Sequence, residues 1–257
     1  CGASTAPVNV LWAAEHRAKS VVLLNPAPLP LRRFHLVIAP RHDGLPRRAN
    51  VVHTMGAISR VPESRVTGAI DRVSVQRPVV SVFIGGDTRD YELNTAFAES
   101  LIGGVMHACD AAGGSYLVTT SRRTSSEVER VLAGRVNSDP RCRLLLLASR
   151  DALDGTMEGM LGLADVAVVT GESISMVSEA CASGRRVVAV EPPLREGLRG
   201  AATKHQRFLR ELRREGHLRL VILPELSHAI RAALSAPPPS KRLDDVALVR
   251  DAMAKLL

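Results

Sequence analysis

Short, continuously apolar β-branched runs alternate along this chain with segments whose apolar residues recur at helical spacing. The runs Val79–Ile84, Tyr116–Thr119, Leu144–Leu147, Val166–Val169, Val187–Val190 and Leu220–Ile222 predict strands buried on both faces. Between them, helices are predicted at about 92–111, 125–135, 156–163, 174–183 and 203–215, with a last amphipathic helix at Leu243–Leu257. Before Pro78 the pattern is sparser. Thr5 caps a predicted helix with Pro7 in its first turn, which would carry Val8, Leu11 and Trp12 inward. Strands are expected at Val21–Leu24, His35–Ala39 and near Val51–Thr54. Residues 57–77 turn polar and mixed, so the linker is placed there, between a first domain of residues 1–76 and a second of 77–257. Such alternation predicts an α/β fold of two Rossmann-like domains with parallel sheets, right-handed crossovers and ligands at the strands' carboxyl ends. The opening, Cys1-Gly2-Ala3-Ser4-Thr5-Ala6-Pro7, reads as the turn and cap of a βα unit whose strand is missing, and the first domain is expected to be incomplete.

The pattern centres on residues 164–184. The strand Val166–Val169 stops at Thr170-Gly171, and Glu172-Ser173-Ile174-Ser175-Met176 leads into a helix that offers Ser173 or Ser175 as N-cap. The first N–H groups of such a helix are unpaired and point at the strand's carboxyl end, where an anion can bind. Glu179 lies ~9 Å down the axis from Ser173, so a diphosphate at the N-terminus would put an attached ribose within reach of its carboxylate.

Three more loops leave strand ends on the same edge. Gly85-Gly86 permits close backbone approach. Thr120-Ser121-Arg122-Arg123 sets hydroxyls beside guanidiniums that suit phosphate oxygens. The loop Ala148-Ser149-Arg150 offers backbone groups to a base. Lys204 and Arg207, near the start of an amphipathic helix, are assigned to ligand phosphates. In the first domain His42, next to Asp43, is the candidate general base, since a modest shift brings an imidazole into range near neutrality. No Asp-x-Asp stands at a strand end and no His/Asp cluster has metal-ligand spacing, so neither a metal nor a cofactor is expected.

Composition narrows the classes. Hydrophobic content of 46% excludes a disordered chain, and no apolar run approaches the ~20 residues of a membrane span. Aromatics at 3% argue against base-stacking platforms, so nucleic acid is not an expected partner. The four cysteines, without C-x-x-C spacing, suit free thiols in a reducing cytoplasm. The net charge of +8 is uneven: residues 1–76 carry 10 Lys/Arg against 4 Asp/Glu, the remainder 24 against 22. A basic first third fits anionic lipid headgroups as well as phosphorylated ligands, with a peripheral place at the inner face of the membrane.

Leu161-Gly162-Leu163-Ala164-Asp165, the strand after it and Ser-x-x-Ser-Glu-Ala resemble the donor-binding segment of GT-B glycosyltransferases. A narrower resemblance, over about residues 20–220, is to the mitochondrial fission ELM family, and it implies a bacterial member. It is carried by Val37-Ile38-Ala39-Pro40 with His42-Asp43, Arg60-Val61, Ile84-Gly85-Gly86, Thr119-Thr120-Ser121-Arg122-Arg123-Thr124, Ser175-Met176-Val177-Ser178-Glu179-Ala180 and Lys204-x-x-Arg207-Phe208. Two positions depart from that family: Gly155-Thr156-Met157 replaces Asn-Pro-Tyr, and Glu172 replaces Asp.

The resemblance implies a GT-B-like, metal-independent glycosyltransferase. Its nucleotide-diphosphate sugar would be held by Gly171–Met176, Arg122 and Glu179, and the sugar would pass to a glycan or lipid-linked acceptor. In GT-B folds a terminal helix often crosses back onto the first domain. Two alternatives stay open. One is a non-catalytic adaptor docking a partner protein or anionic membrane, as plant family members help recruit a dynamin-related protein. The other is a nucleotide-sugar epimerase of the same fold.

Overall fold

In a computed structural model, residues 2–58, 70, 73–151, 153–197 and 202–256 are described. The chain divides into two compact units, residues 1–59 with 244–257, and residues 60–243. The expected linker falls largely on residues 59–69, 71 and 72, outside the described residues, as do Arg60 and Val61.

The first unit holds α1 (Gly2–Glu15), β1 (Val21–Leu23), β2 (Leu36–Pro40), β3 (Val51–Thr54) and α8 (Asp245–Leu256). Its strands are parallel in the order β1-β2-β3, and the central β2 is buried along its whole length. The core gathers Ala6, Val22, Phe34, Val37 and Val51. The C-terminal helix is tied in through Asp245, whose carboxylate accepts from the N–H groups of Met55 (2.9 Å) and Gly56 (2.7 Å) just past β3.

Helix α1 overturns one expectation. It starts at Gly2, so Pro7 lies inside it, and Val8, Leu11 and Trp12 are 64%, 71% and 65% exposed. Ala6 and Ala13 are buried instead, Val10 is partly buried, and Asn9 Nδ2 donates to Val21 O (3.2 Å). Both stripes have helical spacing. The one with alanines brings the helix axis close enough to the sheet for that polar contact, and Trp12 stacks on His16 instead (4.2 Å between centroids).

The second unit is a six-stranded parallel sheet in the order β6-β5-β4-β7-β8-β9. Its strands are β4 (Val79–Phe83), β5 (Ser115–Thr119), β6 (Cys142–Leu146), β7 (Val166–Thr170), β8 (Arg186–Val190) and β9 (Arg219–Val221). The order reverses between β4 and β7, which opens a crevice at their carboxyl ends. Helices α2 (Thr95–Ala112), α3 (Ser126–Val136) and α7 (Leu226–Ser235) share a core with Val80, Val82, Val118, Val166 and Val168. Alternation along the strands turns their other residues toward α4 (Thr156–Leu163), α5 (Ile174–Ala182) and α6 (Lys204–Arg214), which bury Met160, Val177, Phe208 and Leu209. Helix α7 adds to the expected elements; Leu226, Ala229, Ile230 and Ala233 form its buried stripe just past Pro224.

Candidate functional site

The loops after β5, β6 and β7 meet the starts of α4 and α5 around a cleft of about 800 Å³. Thr120, Ser121, Arg122 and Arg123 line one side, Ser173, Ser175 and Met176 the other, and Ala148, Asp151 and Asp154 a third. Of the residues singled out from the sequence, the first seven of these are brought together in one place.

The α5 end of the cleft suits an anion. Ser173 is the N-cap residue, with extended backbone (φ −102°, ψ 91°), and its hydroxyl makes no capping bond. The first-turn N–H groups of α5 therefore have no side-chain acceptor from their own cap. Across from them Arg122 is exposed and lines the cleft. Its neighbour Arg123 is spent on structure: Nη1 donates to the carbonyls of Gly86 (3.1 Å) and Asp87 (3.0 Å). Ser121 closes a local turn, its N–H donating to Thr124 Oγ1 (2.9 Å) and its Oγ accepting from Arg123 N (3.2 Å).

Gly85 and Gly86, expected to permit close approach of a ligand, are pressed against protein, as is Gly171. A Cβ on Gly85 would lie 1.8 Å from Glu172 Oε1, one on Gly86 2.1 Å from Arg123 O, and one on Gly171 2.6 Å from Leu209 Cδ1. Glu172 lies under this glycine loop at 2% exposure, accepting from Thr170 Oγ1 (3.1 Å), which in turn accepts from Gly85 N (2.8 Å). Burial pushes its carboxyl up to about 7, against the pull of its own N–H, Thr170, the Arg123 charge and the Gly86 N–H.

Glu179 is half-buried one turn beyond Met176 on α5. Burial first, and the charge of Glu158 on α4 second, push its carboxyl up to about 7. Lys204 and Arg207 lie outside the cleft lining. They sit in the first turn of α6 behind a Thr203–Gln206 capping box, and Arg207 Nη1 donates to Ala202 O (2.8 Å).

Ser149 donates through Oγ to Glu129, a residue that sequence reasoning passed over, and Thr120 Oγ1 donates to the same carboxylate (2.6 Å). Also unforeseen was the clamp on the loop after β4. Tyr91 OH donates to Glu191 Oε1 (3.0 Å), Arg195 pairs with Asp87 (3.0 Å), and His205 lies 3.4 Å from Asp90. Burial pushes the His205 imidazole below its ordinary value.

In the first unit, His42 and Asp43 lie on a 3-10 turn closed by Gly44 in the left-handed region (φ 69°). His42 Nε2 stands 3.9 Å from Asp43 Oδ1, and His42 is buried. Among the described residues no group of three or more His, Cys, Asp or Glu is placed to hold a metal ion. Nor is any helix among them long and apolar enough to cross a membrane.

Comparison with known proteins places this architecture. The fold is similar to the UDP-GlcNAc 2-epimerase of Methanocaldococcus jannaschii (TM-score 0.61, 11% identity, 97% of this chain and 74% of that one). It is also similar to a structure titled the glycotransferase of kitacinnamycin (TM-score 0.50, 14% identity, 99% and 62%). These likenesses establish a GT-B-like α/β fold with parallel sheets. In sequence the chain is 26% identical over 216 residues to the mitochondrial fission protein ELM1 of Arabidopsis thaliana, covering 74% of this chain. It spans about half (48%) of that curated relative's length. The family described as Mitochondrial fission ELM1 matches residues 1–250. The chain belongs to the mitochondrial fission ELM1 family.

Proposed function

We propose that the second unit binds a nucleotide-diphosphate sugar and that the chain transfers the sugar to a glycan or lipid-linked acceptor. The observation that carries the reading is the cleft itself, at the reversal of strand order, where the uncapped start of α5, Ser173, Ser175 and the exposed Arg122 converge. The M. jannaschii epimerase of similar fold (TM-score 0.53 for this structure) has been solved in complex with UDP-GlcNAc and UDP, which adds support for a nucleotide sugar.

In this proposal the diphosphate lies against the first turn of α5 and Arg122, with the ribose hydroxyls toward Glu179. Transfer breaks the bond from the anomeric carbon to the terminal phosphate oxygen, and the electron pair leaves with the nucleoside diphosphate. The α5 N–H groups and the Arg122 guanidinium stabilise that charge without a metal ion. The acceptor oxygen bonds to the anomeric carbon and gives its proton to a general base, the role that the sequence suggests for His42.

A second reading, a non-catalytic adaptor of partner proteins or anionic membrane, draws on the exposed Val8, Leu11 and Trp12 of α1. The test is a thermal-shift screen against uridine, guanosine, adenosine and cytidine diphosphates and their sugar conjugates, with and without EDTA. Donor binding requires a shift with one base that survives EDTA and is lost in Glu179→Ala. A cooperative melt with no shift for any of them would sink the donor site and leave the adaptor.

A further inference from the structure

We infer that Glu129 is a positioning residue that fastens two walls of the donor cleft to each other, so that recognition of the nucleoside depends on it. The role in recognition rests on the donor reading above; the mechanical coupling does not.

Glu129 lies in the first turn of α3, behind the Ser125 cap, and is only 4% exposed. A carboxylate at a helix N-terminus is favourably placed, and one buried there must find donors. Its donors come from two different loops. Oε1 accepts from Thr120 Oγ1 (2.6 Å), in the loop after β5. Oε2 accepts from Ser149 Oγ, in the loop after β6, and Ser149 N is directed at Oε1 (3.4 Å). Thr120 Oγ1 in turn accepts from Ala148 N (2.8 Å), so a relay runs from one loop through the hydroxyl to the carboxylate.

Strands β5 and β6 are neighbours, but their ladder ends at Thr119 opposite Leu146. Past that point Thr120 N reaches back to Leu146 O (3.1 Å), Ala148 N donates directly to Thr120 Oγ1, and the side chains of Thr120 and Ser149 both end on Glu129. Thr120 and Ala148 both line the cleft. The other end of the β5 loop is held independently, by Thr124 Oγ1 to Gly85 O and by Arg123 to Gly86 O. Loss of Glu129 therefore unties Ser149 and leaves Ala148 held to the β5 loop by Thr120 Oγ1 alone, while the Arg122 end and α5 keep their places. Helix capping alone would not split the two carboxylate oxygens between two loops.

Two readouts test this in Glu129→Ala, with Glu129→Gln as the milder variant should the first fold poorly. Hydrogen exchange on the ligand-free protein should quicken by about tenfold in peptides covering 119–121 and 147–151, and remain unchanged in α5. Acceleration confined to α3, or absent from either loop, overturns the coupling. Titration with the nucleotide from the screen should then show about tenfold weaker binding, with inorganic pyrophosphate changed less than twofold. Equal losses for both ligands would reduce Glu129 to a general structural role. If the unaltered protein binds no nucleotide, the donor reading fails and the role in recognition falls with it, while the exchange result still decides the coupling.

Discussion

Gly86 and Arg123 hold each other in both directions. The Arg123 guanidinium donates to Gly86 O, and the Arg123 carbonyl oxygen occupies the point 2.1 Å from where a Gly86 Cβ would stand. The atoms beside that point are backbone, Arg123 C at 2.2 Å and Thr124 N at 2.5 Å, and cannot swing aside as a side chain can. Gly86→Ala should cost about 3 kcal/mol, at the upper end of what overpacking usually costs. Gly103→Ala is the control. It sits in α2 with open space at its Cβ position, and should gain about 0.5–1 kcal/mol. Equal stability of the two variants in denaturant titrations would show that the β4 and β5 loops are not packed as described.

The two adjacent arginines should separate cleanly. Arg122→Ala should weaken nucleoside-diphosphate binding by roughly 1.5–3 kcal/mol, the range for hydrogen bonds to charged groups, with the ligand-free melting temperature unchanged. Arg123→Ala should instead lower that melting temperature, by about 1 kcal/mol of stability, because its exposed guanidinium ties down the Gly86-Asp87 backbone. Calorimetric titration beside thermal melts distinguishes them, and reversed behaviour would exchange their assignments.

Glu179 should make binding depend on pH. Its carboxyl is held at about 7, so a carboxylate able to accept from both ribose hydroxyls is a minor species on the acid side. Affinity for a nucleotide sugar, whose diphosphate does not titrate near neutrality, should rise by about tenfold between about pH 6 and pH 8. Stability runs the other way. A carboxyl raised from 4.5 toward 7 by folding contributes stability that is lost as pH climbs through that window, and Glu172 acts in the same sense. Glu179→Gln should bind weakly with a flat profile. A wild-type affinity that does not change over this range would remove Glu179 from ribose recognition.

Trp12→Ser should change stability by no more than about 0.5 kcal/mol, as expected of an exposed position. Ala6→Leu, at a fully buried position against β1 and its neighbours, should cost about 1–3 kcal/mol. Urea titrations suffice. A large loss in Trp12→Ser would mean that the bulky stripe of α1, not the alanine stripe, faces the core.

The strands and most helices of the second unit could be read from the chain because a central parallel strand is apolar on both faces. Val79–Ile84 and Val166–Val169 are short, largely β-branched runs, and the turn after each is written in glycine and hydroxyl residues. The β7–α5 turn, with Ser173 at the N-cap position, was legible for the same local reason. Glu129 was not. In Ser126-Glu127-Val128-Glu129-Arg130 two glutamates look alike, and only the loops folding back from β5 and β6 bury one and leave the other in water.

By itself, then, the sequence determined the alternation of strands and helices, the parallel sheets, and the small-residue loops at the strand ends of the second unit, since these follow from local periodicity and backbone sterics. Tertiary structure decided which stripe of α1 is buried, whether a glycine faces a ligand or its own protein, and which of Arg122 and Arg123 is available. It also decided which carboxylates are pushed up to about 7. Each of these depends on which atoms, distant along the chain, arrive within a few ångströms, and no local pattern encodes that distance.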